Sequence, residues 1–252
     1  MNFKELIISS KSLDTIDQDR LRYNLEKYHF CILRDLISHD EVVNGMKKVY
    51  DFIESNEDNA TTGENPDDVR GYFVKMSIGN ARHGGVERPR FKRAIYSPLN
   101  NENKFELDNA FTQLAMVRNL LSNQKLDFAL RKDEDGLWTA ARMHQFPIGG
   151  GFMVSHKDTV LPKMLKDQKF TGGFFQPLAL LSKKGEDFYK GGGFAVINNE
   201  ILEYEEYTER GDIAIYDSLT EHGVADIDSD KKYIQRSGAG RYSGLVSLYK
   251  SL

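Results

Sequence analysis

The chain has 252 residues, 40% of them hydrophobic and 11% aromatic, and its 34 Lys and Arg against 38 Asp and Glu leave a formal charge of −4. This length and apolar content suit one large globular domain rather than a disordered chain, and the charge balance offers no general basic face for nucleic acid. The single cysteine, Cys31, excludes an intramolecular disulfide; no apolar run reaches the roughly 18 residues of a membrane span or forms a signal-peptide core, so the expectation is a cytoplasmic protein without membrane contact.

In chain order, Asp17 to Tyr28 places Leu21, Leu25 and Tyr28 at helical spacing. Phe30 to Leu33 is a short apolar run that fits a strand. Ser38-His39-Asp40-Glu41 reads as a capping box ahead of a helix carrying Val42, Val43, Met46, Val49 and Tyr50. Ser55 to Asp68 is polar and turn-rich, a surface loop. Arg82 to Arg93 holds five Arg or Lys and a His against one Glu; it reads as a loop, either simply solvated or drawing an anion toward a pocket. Phe105 to Leu121 carries one apolar stripe and predicts a third helix.

After Trp138 the texture changes. Thr139 to Phe146, Phe152 to Asp158, Phe174 to Ser182, Gly193 to Asn198, Gly211 to Asp217 and Arg241 to Tyr249 are rich in β-branched and aromatic residues and alternate with glycine-containing turns. Neither Gly149 to Gly151 nor Gly191 to Gly193 is followed by Lys-Ser/Thr, so both read as strand turns rather than phosphate loops. The expectation is an α+β single domain spanning 1–252, helix-rich over 1–137, with a mainly β core over 138–252 and the N-terminal helices packed outside it.

Ser155-His156-Lys157-Asp158 closes one predicted strand, where positions i and i+2 share a face, so His156 and Asp158 can reach one point. His222 follows a later predicted strand. Two imidazoles and one carboxylate on one side of a metal leave the other side open, the arrangement of non-heme Fe(II) oxygenases. Zinc with a hydrolytic water uses the same ligand types, although no general base stands near the motif.

From Arg142 to the C-terminus the chain resembles the Fe(II)/2-oxoglutarate-dependent dioxygenases, in particular the isopenicillin N synthase-like and phytanoyl-hydroxylase-like small-molecule oxygenases. The resemblance rests on Arg142 to Gly151 ahead of the His-x-Asp pair, then Gly192-Gly193-Phe194-Ala195-Val196, Gly211-Asp212-Ile213, His222-Gly223-Val224 and Arg241-Tyr242-Ser243, in the family's order. It implies a double-stranded β-helix of the jelly-roll or cupin type, with iron held by His156, Asp158 and His222. It also implies 2-oxoglutarate chelated to the metal, its far carboxylate on Arg241 with Ser243 adding a hydroxyl. An arginine fork matches a carboxylate bidentately and keeps its proton. Arg241 lies 19 residues after His222, a longer interval than the family's, which makes Arg236 a rival anchor. Phe146 stands where many relatives carry a tyrosine that touches the co-substrate; His144 or Gln145 can supply that contact, His144 being otherwise a satisfied core histidine.

The implied reaction uses O2 and 2-oxoglutarate, releases succinate and CO2, and hydroxylates a substrate. A carboxylate at Asp158, where related halogenases have a small residue, favours oxygen insertion over halogenation. The expected substrate is a small polar or anionic metabolite, such as an amino acid or natural-product intermediate, contacted by Arg142, Arg82 and Arg88. A peptide or protein side-chain hydroxylase and a β-helix module that binds metal or carboxylate without turnover are the alternatives. A monomer or weak dimer is the default.

Overall fold

The computed structural model describes residues 3–58, 74–78, 89–96, 99 and 103–251. Strand β1 (Ile7–Ser9) pairs in parallel with β2 (Phe30–Arg34), and between them lies helix α1 (Gln18–Tyr28). Asp17 caps α1 by accepting the Arg20 amide at 3.0 Å, and His29 ends it in the left-handed region. Helix α2 covers His39–Ser55, and β3 (Val74–Ile78) pairs with β4 (Arg90–Tyr96) ahead of α3 (Asp108–Leu121). There follow β5 (Leu137–Pro147), β6 (Gly151–His156), α4 (Val160–Asp167), β7 (Phe175–Leu180), β8 (Gly192–Ile197), β9 (Glu200–Leu202), β10 (Ile213–Asp217), β11 (Glu221–Ile227) and β12 (Gly240–Lys250). Of the expected loop over Ser55 to Asp68, residues 59–68 lie outside the described residues.

Two strand groups make the core. One runs β2-β10-β7-β12-β5 and the other β6-β11-β8-β9; β4 pairs with both β5 and β6 and joins them along one seam. Leu178, Leu180, Ala214, Tyr216 and Leu245 of the first group pack with Ala195 and Ile197 of the second, so the sheets face each other as a jelly roll. The opposite face of the first group, through Ala141, Met143, Ala179, Ile213, Ile215 and Val246, packs with Val42, Met46 and Val49 of α2 and Leu114 and Ala115 of α3. The fold is therefore α+β with a β-rich jelly-roll core and the helices outside, as the sequence predicts. Residues before 137 contribute strands as well as helices. The end of the basic run, read as a loop, is strand β4, and His222 lies within β11 rather than after a strand.

Strands β5 and β12 pair over eleven consecutive residues and are buried along almost their whole length, because one face meets the helices and the other the interior. Alternation then sends Arg142, His144 and Phe146 of β5, and Arg241, Ser243 and Leu245 of β12, into the space between the sheets. Gly149 and Gly150, at φ +92° and +100°, make the turn that carries β5 into β6.

The capping box does not form. The Ser38 side chain makes no cap bond, and the Glu41 carboxylate instead accepts the Ala110 amide at 2.7 Å and the Asn109 side-chain amide at 2.8 Å, in the first turn of α3. The helices approach closely enough for this because Gly45 has no Cβ; one built there would meet the Leu107 side chain. Glu41→Ala should therefore lower stability by about 1 kcal/mol through loss of the α3 cap, whereas Ser38→Ala stays within about 0.5 kcal/mol, read from urea midpoints at constant slope. Equal effects of the two substitutions would restore the capping box.

Candidate active site

His156 ends β6 and His222 stands directly opposite it on β11, as cross-strand partners. Their rings lie 4.4 Å apart, centroid to centroid. Asp158, two residues beyond the end of β6, brings one carboxylate oxygen to 3.9 Å from His156 Nε2 and the other to 3.9 Å from His222 Nε2. One ligand atom from each of the three residues falls within 4.8 Å of the others, the single such group of three or more among the described residues.

The imidazoles are oriented from behind. His156 Nδ1 lies 2.9 Å from the Val154 carbonyl and His222 Nδ1 3.1 Å from the Thr220 carbonyl. A carbonyl only accepts, so each Nδ1 carries the hydrogen and each Nε2 keeps its lone pair toward Asp158. Tyr216 stacks on His222 with ring centroids 4.1 Å apart. Two fixed imidazole lone pairs and one carboxylate fit a divalent transition metal with open positions.

These three residues line a cavity of about 630 Å³ between the sheets, within the range of small-molecule sites. Arg241 and Ser243 line the same cavity. The Arg241 side chain is almost wholly buried and pairs with Glu205: Nε donates to Oε1 at 2.8 Å and the Nη2 nitrogen lies 2.6 Å from the same oxygen. Its Nη1 donates to the Ser243 hydroxyl at 3.1 Å, and the guanidinium sits 5.2 Å over the Phe146 ring. Burial works against the Arg241 charge, but Glu205 together with Tyr204 and Tyr216 more than offsets it and holds the pKa above the usual value. Glu205 and the neighbouring Tyr204 share a short 3-10 turn, Tyr204–Glu206. Gly193 makes room for them, since a Cβ there would strike the Tyr204 hydroxyl.

His144 faces the cavity opposite Ser243, whereas Gln145 points away and contacts Arg93 and the carbonyls of Ser237 and Ala239. Gln145 is thereby removed as a co-substrate contact. Arg236 donates to the Glu54 carbonyl at the end of α2, away from the cavity, which removes it as an anchor. Arg142 lines the cavity and donates to the Tyr249 hydroxyl. Arg82 and Arg88 lie outside the described residues. Sequence reasoning missed the cavity roles of Tyr204, Tyr216, Lys92 and Arg90, and Glu205 behind Arg241. The alternation of β4 would have found Arg90 and Lys92, which share a face, while Arg93 on the other face is tied to Asp58 and Gln145.

Burial, then the charges of Lys92, Arg142, Arg241 and Arg90, push the His144 pKa well below its usual value, so the imidazole is neutral. Burial, then Asp158, pushes the Tyr216 phenol well above its own, keeping it protonated.

No protein-family model matches the sequence, and comparison with curated proteins finds no match. Solved structures do share the fold. A full-length Neurospora crassa protein, solved in complex with alpha-KG and thymine, aligns with a TM-score of 0.58 at 12% identity over 99% of this chain and 88% of that one. A prolyl-4-hydroxylase from Pseudomonas putida aligns at 0.55 and 11% identity over 91% and 97% of the two chains. EctD from S. alaskensis, with 2-oxoglutarate and 5-hydroxyectoine, aligns at 0.52 and 14% over 92% and 75%. The chain thus shares the fold of these three proteins.

Two outcomes follow from the buried charges. Arg241→Met and Glu205→Leu should each destabilise the metal-free protein by about 3–5 kcal/mol by stranding the partner charge, and the double variant should recover most of that loss in a denaturation cycle. Additive losses would show that the pair is not coupled. For His144, the folded pKa is depressed, so below about pH 6.5 the unfolded chain binds a proton that the folded one does not. Stability of the metal-free protein should therefore fall with acidification below that pH, this group contributing up to about 1.4 kcal/mol per pH unit until the folded pKa is reached. His144→Gln should flatten that slope in urea midpoints measured against pH, and an unchanged slope would return His144 to the protonated state.

Proposed function

We propose that this protein is an Fe(II)- and 2-oxoglutarate-dependent dioxygenase that hydroxylates a small polar or anionic metabolite. The observation that carries the reading is the His156, Asp158, His222 cluster, with both Nδ1 atoms tied to backbone carbonyls, in one cavity with the buried Arg241 and Ser243. When bound, the iron supplies O2 activation coupled to oxidative decarboxylation of the co-substrate to succinate and CO2.

The chain's own residues supply orientation, charge and exclusion of water. His156 and His222 are held as Nε2 donors and Asp158 brings the negative charge a dication requires. Glu205 takes the Nε–Nη2 edge of Arg241, which leaves Nη1, beside Ser243, for a carboxylate. Phe146, beneath that guanidinium, offers an apolar face in place of a hydroxyl. Leu178, Leu245, Val224 and Met153 complete a wall that keeps water from the reacting centre. The cavity volume suits a small molecule, and Arg142 on its wall supports an anionic one.

Anaerobic addition of Fe(II) and then 2-oxoglutarate should give the visible charge-transfer band of the metal chelate. His222→Ala should abolish it while the fold survives in circular dichroism, and Arg241→Met should weaken co-substrate binding in the presence of iron. Iron binding with no band would sink the co-substrate reading; a full band in His222→Ala would remove that residue from the ligand set.

A further inference from the structure

Two deeply buried arginines have a carboxylate partner, Arg93 with Asp58 and Arg241 with Glu205. Arg118, in the last turn of α3 and only 4% exposed, has none among the described residues. Its Nε and Nη2 donate to the Asn119 side-chain oxygen at 3.1 and 2.9 Å, and Nη2 donates also to the Thr139 hydroxyl at 2.9 Å. The Asn119 amide is fixed in this sense, because its nitrogen donates to the carbonyls of Leu126 and Phe128. Every acceptor is therefore neutral, and Nη1 is buried with no hydrogen-bond partner among the described residues. Burial pushes the Arg118 pKa down to about 9, which leaves the guanidinium charged at neutral pH. The carbonyls at the end of α3 offer about half an elementary charge and do not cancel a whole one. A buried charge without an opposite charge is costly, and an anion that reached it would relieve that cost.

Arg118 also lines a cavity of about 10 Å³, roughly the room of one water-sized particle. Ser122, just beyond α3, and Gln176 and Ser247, on β7 and β12, add polar groups to its wall, and no Asp or Glu lines it. The Ser247 hydroxyl is spent on the Gln176 side-chain oxygen at 3.2 Å. The Ser122 side chain, 2% exposed, makes no hydrogen bond among the described residues, so its hydroxyl can donate into the cavity. The segment after α4 closes tightly over this serine: a Cβ on Gly172 would overlap the Ser122 carbonyl oxygen.

We infer that this cavity binds one small monovalent anion of chloride size, held by Arg118 Nη1 and the Ser122 hydroxyl. Carboxylates and phosphate carry several heavy atoms and exceed the space. A halide accepts hydrogen bonds from any direction, which suits two donors whose positions are set by other contacts. Gln176 and Leu161 line both this cavity and the one that contains His156, Asp158 and His222, so the anion sits behind a wall shared with that site. The inference takes nothing from the dioxygenase reading and stands or falls without it.

Urea unfolding of the full chain at constant ionic strength tests it, with sodium gluconate, whose anion is too large for the cavity, replaced stepwise by sodium chloride or sodium bromide. Binding to the folded state should lower the unfolding constant about tenfold for each tenfold rise in halide above its dissociation constant, relative to gluconate. Arg118→Met should abolish this dependence, and Ser122→Ala should weaken the halide affinity about fivefold, the loss of one neutral hydrogen bond. Crystals of the unsubstituted chain grown in bromide should show an anomalous peak within hydrogen-bond reach of Arg118 Nη1, a readout that needs no variant to fold. Equal midpoints in chloride and gluconate, a halide dependence that persists in Arg118→Met, or density at Nη1 without anomalous signal would each overturn the site.

Discussion

The pairing of β5 with β12 sets nearly everything else in the molecule. Over eleven paired residues both strands are covered on both faces, so each side chain is committed either to the helices or to the cavity. Ala141, Met143 and Val246 go one way; Arg142, His144, Arg241 and Ser243 go the other. A slip of one residue would drive two arginines and a histidine into the helix-packed core, at a cost far beyond what an ordinary domain can sustain. The polar inner row is thus part of what specifies the register, and the cavity is a product of the same alternation that builds the core.

That inner row carries an electrostatic burden, and Glu205 is the response to part of it. A guanidinium as buried as Arg241 needs an anion when no ligand is present. Glu205 provides one along the Nε–Nη2 edge through a single oxygen, and its second carboxylate oxygen has no hydrogen-bond partner among the described residues. A counter-ion that took both terminal nitrogens would compete with any carboxylate ligand. Placed on the Nε–Nη2 edge, it orients the group and leaves Nη1 to Ser243. The pair therefore costs desolvation energy that apolar residues would not, and returns a fixed direction for one cation.

The parts legible in the sequence are those whose signal is local. The His156-x-Asp158 spacing, the apolar stripes of the helices and the alternation after Trp138 all arise from residues a few positions apart. Contacts across the fold left weaker traces. Glu41 fits a capping box with Ser38 by spacing, yet the amide of Ala110 on a neighbouring helix competes for the same carboxylate and wins. Strand β4 begins inside the basic run Arg82 to Arg93, which reads as a loop, solvated or drawing an anion, because charge dominates its composition; within β4 the charges divide by face, Arg90 and Lys92 toward the cavity and Arg93 into an ion pair with Asp58. Glu205 lies 36 residues from Arg241, in a run of acidic residues whose other members have exposed side chains, and nothing local marks it as the buried one.

The chain between His222 and Arg241 is tethered at several points to the rest of the fold. After β11 the chain does not run free. Asp228, fully buried, accepts the amides of Tyr189 and Lys190 and the Lys231 ammonium. The Tyr233 backbone fits against Gly149 so closely that a Cβ there would overlap it, and Arg236 is held by a carbonyl at the end of α2. Gly240, at φ +141° and packed against the backbone of Phe146 and Pro147, then turns the chain into β12. Each attachment is made by a residue of this segment that is not among those lining the cavity. Arg241 consequently enters the sheet opposite Phe146, at the position the β5 register dictates, whatever the number of residues before it.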